Sequence, residues 1–245
     1  MSFENYVLDY MPRAVKKVLR NSRAEELTLF GYCMGGTMAA MYASLFPDKP
    51  LKNLVLLAAP IDFASEKSGL YGIWFSEKYQ NPNIVLETFG NMPASLAYMG
   101  TAMLRPITNY VGTYLTMWDL QMQEKRMEGW RAMNKWANDP IPMPGAAYKQ
   151  WIEDFYQQNK LLKGEMKLRG RQVDLSNITC SVLNLAGEKD HLVYCPQTEA
   201  TIDLIASEDK EFVVLDAGHV GLVMGRGAKE GLWPRVGGWL EPRSK

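Results

Sequence analysis

The sequence predicts a parallel α/β sheet with helices on both faces, interrupted by an inserted helical cap. Three observations lead there. The runs "LKNLVLLAAP" and "NITCSVLNLAG" are apolar without alternation, as expected of strands covered on both sides. Segments of helical period alternate with them. Between two such blocks, residues 70 to about 160 hold five of the seven tryptophans and prolines at 82, 93, 106, 140, 142 and 144, with few strand-like runs.

Taken in order, Tyr6, Val7, Tyr10, Met11, Val15, Val18 and Leu19 repeat at helical spacing, with basic residues crowding the end as the helix dipole prefers. "ELTLFG" reads as a short buried strand and "GGTMAAMYASLF" as a helix stopped near Pro47. "LKNLVLLAAP" is the second strand. After "IDFASEKSGL" helical segments such as "LQMQEKRMEGWRAMNKWAND" dominate. Their aromatics form either a helical core packing on itself, or in part a lipophilic channel or contact face. The α/β pattern resumes with "NITCSVLNLAG" and "KEFVVLDAGH", joined by a helix over "PQTEATIDLIAS", and "KEGLWPRVGGWLEP" closes as a helix. Four strands are expected, around Leu27, Leu54, Leu183 and Val213. The chain divides into residues 1–69 and 171–245 as the α/β core and 70–170 as the cap.

Bulk properties exclude several classes. Lys plus Arg and Asp plus Glu are 27 each, so no basic excess favours nucleic acid. The N-terminal stretch lacks the apolar h-region of a secretory signal, and no apolar run is long enough to span a bilayer. Three cysteines, Cys33, Cys180 and Cys195, form no CxxC pair, which argues against a disulfide framework or a metal site and for a reducing cytoplasm.

Three loops carry the chemistry. Gly31, Tyr32, Cys33, Met34 and Gly35 match the G-x-S-x-G nucleophile elbow of α/β-hydrolases, with sulfur for oxygen. Such an elbow needs a strand end, a strained turn eased by glycines, and a helix start, and both flanks fit. The helix N-terminus favours a thiolate at Cys33, and the backbone N–H of Met34 would face a developing oxyanion. A buried, inert cysteine at a tight turn is the alternative. "AGEKDHLV" offers Asp190 and "LDAGHVG" offers His219, each just after a strand. The order nucleophile, acid, histidine is that of α/β-hydrolase triads, and the strand ends are where parallel sheets bind ligands. His191 reads as a loop residue near the site, Cys180 as core and Cys195 as structural. A thiolate attacks thioesters well and leaves well, which points to acyl transfer from a coenzyme A thioester.

With "GYCMGGTMAAMYASLFP", "KNLVLLAAPIDF", "WIEDFYQQNKLLKGE", "AGEKDHLV" and "AGHVGLVMG" in view, the whole chain resembles the catalytic subunit of polyhydroxyalkanoate (poly-3-hydroxybutyrate) synthases, closest to the two-subunit class III/IV type. The resemblance implies an α/β-hydrolase-like fold and an acyltransferase that polymerises 3-hydroxyacyl-CoA. Cys33 would take the acyl group as a thioester after His219 removes its proton. Asp190, with His219, would help activate the 3-hydroxyl that extends the chain. Coenzyme A leaves as product and no cofactor is expected. It further implies a homodimer, an accessory synthase subunit, and a cytoplasmic location on the surface of polyester granules. Relatives of this type carry further strands of the sheet, and a loop with a second oxyanion donor, ahead of the segment matching Tyr6. The chain is therefore expected to lack the N-terminal strands of the fold, leaving "ELTLFG" as an aggregation-prone apolar edge. Two rival readings are a thioesterase or polyester hydrolase of the same fold, and an inactive fragment that binds a granule or partner.

Overall fold

The computed structural model describes residues 1–47, 50–64 and 66–244. It divides into two compact units, Met1–Gln80 with Lys149–Lys245, and Asn81–Tyr148.

The first unit is built on four parallel strands, β1 (Leu27–Tyr32), β2 (Leu51–Leu57), β3 (Ser181–Gly187) and β4 (Lys210–Leu215), in the spatial order β1-β2-β3-β4. All four expected strands are present. In register, Phe30 pairs with Val55, Val55 with Leu183 and Leu183 with Glu211. The two central strands hold the runs without alternation, and Leu54, Val55, Leu56, Leu57, Val182, Leu183 and Leu185 are fully buried. Such runs suit only strands shielded on both faces. The outer strands are half-exposed; β1 pairs with β2 alone, so among the described residues it is an edge, with Phe30 open to solvent.

Helices cover both faces. Val55, Leu57, Leu183 and Leu185 pack with Leu232, Val236 and Trp239, so the C-terminal helix α7 (Trp233–Leu240) lies over one face. Leu54 and Leu56 point the other way, as strand period dictates. Helix α2 (Met34–Leu45) packs on β1 and β2 and is apolar on nearly every side, with Ala39, Ala40 and Met41 wholly buried. Helix α1 (Met11–Ser22) is preceded by a wider turn at Asn5–Tyr10, and ends at Arg23 in a left-handed conformation (φ 57°). Phe3, ahead of it, is buried and stacks on Trp151, with ring centroids 5.6 Å apart.

The single helix expected over "PQTEATIDLIAS" is instead two short turns, Cys195–Glu199 and Thr201–Leu204. A two-residue hairpin, Lys167–Leu168 with Arg171–Gln172, has no apolar run to announce it and was not foreseen.

The second unit is helical: α3 (Pro82–Phe89), α4 (Ala94–Met103), α5 (Thr113–Leu120) and α6 (Glu124–Ala137). Asn81 caps α3 by accepting from the Asn83 N–H at 3.0 Å, with Pro82 at the first helical position. Gly90 ends that helix at φ 73°, a backbone conformation glycine adopts freely. The ends of the unit are tied by a bridge between Met92 and Met143 and by the Gly145 N–H donating to Asn91 at 2.9 Å. Its apolar residues are poorly covered: Ile107, Tyr114, Leu115, Trp118, Met122, Trp136 and Ile141 are all exposed.

Candidate active site

Parallel strands deliver their C-terminal ends to one edge, and three loops converge there. Strand β1 ends at Tyr32 and α2 begins at Met34, so Cys33 alone makes the turn. It does so at φ 54° and ψ −130°, a strained conformation for a residue with a Cβ. Its N–H donates to Leu57 O at 2.9 Å, and its carbonyl accepts from Gly36 at 2.8 Å and Thr37 at 3.3 Å. These bonds pin the strained turn to the neighbouring strand and the first helical turn.

The glycines that permit this turn are Gly31 and Gly36. A Cβ on Gly31 would lie 2.5 Å from Gly36 Cα and 2.8 Å from Gly35 O, and one on Gly36 would collide with Ala59. Gly35, the last glycine of the five-residue pattern, faces open space. The close approach is therefore one residue further along than the pattern suggests, because the helix surface that meets the β2 loop lies at Gly36. Met34 heads α2, so its N–H has no acceptor within the helix and is free to meet an oxyanion beside Cys33.

Asp190 sits in the turn after β3 and is buried. One carboxylate oxygen accepts from the N–H groups of Leu192 (2.8 Å) and Val193 (3.0 Å); the other lies 2.6 Å from Nδ1 of His219. His219 follows β4, opens the short helix His219–Val223 and is buried too. With Nδ1 held by Asp190, the remaining nitrogen is the one left to exchange a proton with Cys33. Burial pushes the imidazole pKa down, but the hydrogen bonds to Asp190 and Cys33 and their charges outweigh it and raise His219 to about 9.

The three residues named from sequence meet at one edge of the sheet. His191 lies in the Asp190 turn, half-buried. Cys195 donates from Sγ to Gly187 O at 3.3 Å, and burial raises its pKa. Cys180 precedes β3, at the opposite end of the sheet, and burial pushes it up to about 11. With Glu26, Phe46 and Lys52 it lines a cavity of about 230 Å³. That cavity lies at the N-terminal strand ends, away from the thiol–imidazole pair, so the chemistry is assigned to the opposite edge, which carries Cys33. Among the described residues no cluster of His, Cys, Asp or Glu could hold a metal.

Two features were missed from sequence. Tyr32 stacks on the His219 ring, with centroids 4.9 Å apart and planes 28° apart. It stands inside the elbow motif, so only its partner was hidden. Phe63, Tyr71, Phe75, Trp151, Phe155 and Tyr156 form an aromatic cluster within the first unit. Burial drives the Tyr156 phenol pKa well above its usual value, and the charges of Tyr71 and Cys33 add to this.

Comparison with known proteins bears on the fold and the family. A family model described as alpha/beta hydrolase fold matches residues 2–225. The poly(3-hydroxyalkanoate) polymerase subunit PhaC of Haloferax mediterranei is 38% identical over all of this chain, which covers 49% of it. The protein of the same name from Allochromatium vinosum is 33% identical over 99% of this chain, which covers 67% of it. The chain thus spans about half the length of the archaeal relative and two thirds of the bacterial one. Among solved structures, the Paleococcus ferrophilus monoacylglycerol lipase superposes with a TM-score of 0.60 at 14% identity, covering 99% of this chain and 76% of its own; it shares the fold alone.

Proposed function

The chain belongs to the poly(3-hydroxyalkanoate) polymerase subunits of the alpha/beta hydrolase fold, and we propose that it is an acyltransferase polymerising 3-hydroxyacyl-CoA through a thioester on Cys33. One observation supports this above the rest. A thiol occupies the strained elbow turn beside a histidine whose Nδ1 is fixed by a buried carboxylate. Sulfur at that position suits exchange between thioesters.

His219 takes the proton of the Cys33 thiol, the sulfur attacks the acyl carbonyl, and the oxyanion is met by the Met34 N–H. The carbon–sulfur bond to coenzyme A breaks, and the proton on His219 passes to the departing sulfur. A 3-hydroxyl of another unit then attacks the Cys33 thioester and gives its proton to His219, whose ring Asp190 holds. An ester forms and the Cys33 sulfur leaves. The coenzyme A thioester is the substrate, and no cofactor is needed, since the thioester itself carries the driving force. A homodimer, an accessory subunit and a cytoplasmic site on the polyester granule surface belong to the same proposal. The exposed Ile107, Trp118 and Met122 suit contact with an apolar polymer.

The test is incubation with 3-hydroxybutyryl-CoA, following free thiol, the mass of the Cys33 peptide and the fate of the acyl group. Thiol release with insoluble polyester is the expected result. Release with soluble hydroxy acid would make the chain a thioesterase. A folded chain that never gains an acyl group on Cys33 would leave only a binding role.

A further inference from the structure

His219 reaches the thiol from the far side of the sheet. Strands β1 and β4 are separated by β2 and β3, so their ends lie three strand spacings, about 14 Å, apart. The loop after β4 must lean back across those strands to bring an imidazole to a thiol that follows β1. On the near side Asp190 holds Nδ1 at 2.6 Å, but one hydrogen bond leaves the ring free to swing about it. A second anchor comes from the residue that directly precedes the thiol. The Tyr32 ring lies against the His219 ring, and its hydroxyl donates to the His219 backbone carbonyl at 2.9 Å. The two contacts restrain different things. The hydroxyl fixes where the His219 backbone sits, and the ring face fixes the plane of the imidazole. An aromatic face against an imidazolium also favours the charged form by its quadrupole.

We propose that Tyr32 is the positioning residue of the site, clamping His219 by ring stacking and by a hydroxyl tether so that the imidazole stays aligned between Asp190 and Cys33. The clamp is economical in sequence: one strand end supplies both the nucleophile and the far-side anchor of its base. The role in turnover rests on the acyl-transfer reading, whereas the clamp itself concerns only the thiol–imidazole pair.

The test separates the two. Alkylation of Cys33 by iodoacetamide at pH 7, followed on the Cys33 peptide, reports the pair without any acyl donor. Tyr32→Phe keeps the stack and loses the tether, and is expected to slow alkylation about 3-fold. Tyr32→Leu loses both and is expected to slow it at least 10-fold. With 3-hydroxybutyryl-CoA, kcat is expected to fall about 5-fold and at least 30-fold respectively, with KM within 2-fold in both. Recovery from the leucine to the phenylalanine variant then measures the stack. A folded Tyr32→Leu that alkylates at the wild-type rate overturns the proposal. Should that variant fail to fold, a wild-type rate in Tyr32→Phe overturns it instead. If alkylation responds as stated while the unsubstituted chain takes no acyl group, the clamp stands and the acyl-transfer reading falls.

Discussion

The two units use apolar residues in opposite ways. In the α/β unit the central strands are wholly buried, and the alternate residues of β2 serve opposite faces of the sheet. In Asn81–Tyr148 the apolar residues of Ile107, Trp118, Met122 and Ile141 stand in solvent, and few side chains such as Met127 are covered. A sheet buries its hydrophobic faces against its own helices, and that burial fixes the strand ends that carry Cys33, Asp190 and His219. Short helices with apolar residues on several sides have no such internal sink. The difference teaches that the first unit fixes the strand ends at the site, while the second leaves apolar surface exposed.

The sharpest way to break that division is to substitute the elbow and the helical unit in parallel. Cys33→Ala and His219→Ala are expected to abolish acylation, by at least about 1000-fold. Trp118→Ser and Cys180→Ala are expected to leave it within about 2-fold; thiol release measures both. Loss of all acylation in a normally folded Cys180→Ala would contradict the assignment of Cys33.

Stability should follow the same line. Leu54→Ala, at a wholly buried position, is expected to cost about 2–5 kcal/mol, read by urea unfolding. Ile107→Ser, on an exposed position, should stay within about 0.5 kcal/mol and reduce aggregation. Within the elbow, Gly36→Ala forces a collision with Ala59 and is expected to cost about 1–3 kcal/mol, whereas Gly35→Ala meets nothing. Equal melting temperatures for the two would refute the placement of the close approach at Gly36.

A separate test concerns pH. His219 carries a pKa near 6.5 unfolded and about 9 folded, so folding favours its protonated form. Its contribution to stability is full below pH 6.5 and is lost as pH rises through about 9. Asp190→Asn removes the largest of the interactions raising that pKa and is expected to flatten the decline between pH 6.5 and 9. A slope unchanged by the substitution would mean that another group governs this window.

Much of this was readable from the chain. The two central strands announce themselves as continuous apolar runs, since nothing else places Leu54 to Leu57 in one block. The thiol, the carboxylate and the imidazole were each found by their position after a strand. The helix over residues 195–204 was expected to be continuous because its composition is helical throughout; it is interrupted at Ala200, and after Thr201–Leu204 the chain becomes extended at Ile205. The hairpin near Arg169 has no periodicity at all, and its position is held by Arg169 pairing with Asp9.

Local pattern settles what depends on near neighbours: which runs become strands, where the elbow turns, and which residue types stand ready at the strand ends. Contacts across long sequence separations belong to the folded molecule. That Gly36 instead of Gly35 meets Ala59, and that Tyr32 lies on a ring 187 residues away, follow from how β1 and α2 pack beside β2 and how the last loop crosses the sheet. Such contacts leave no periodic trace in the chain, because each residue is compatible with many partners until the strand order chooses one.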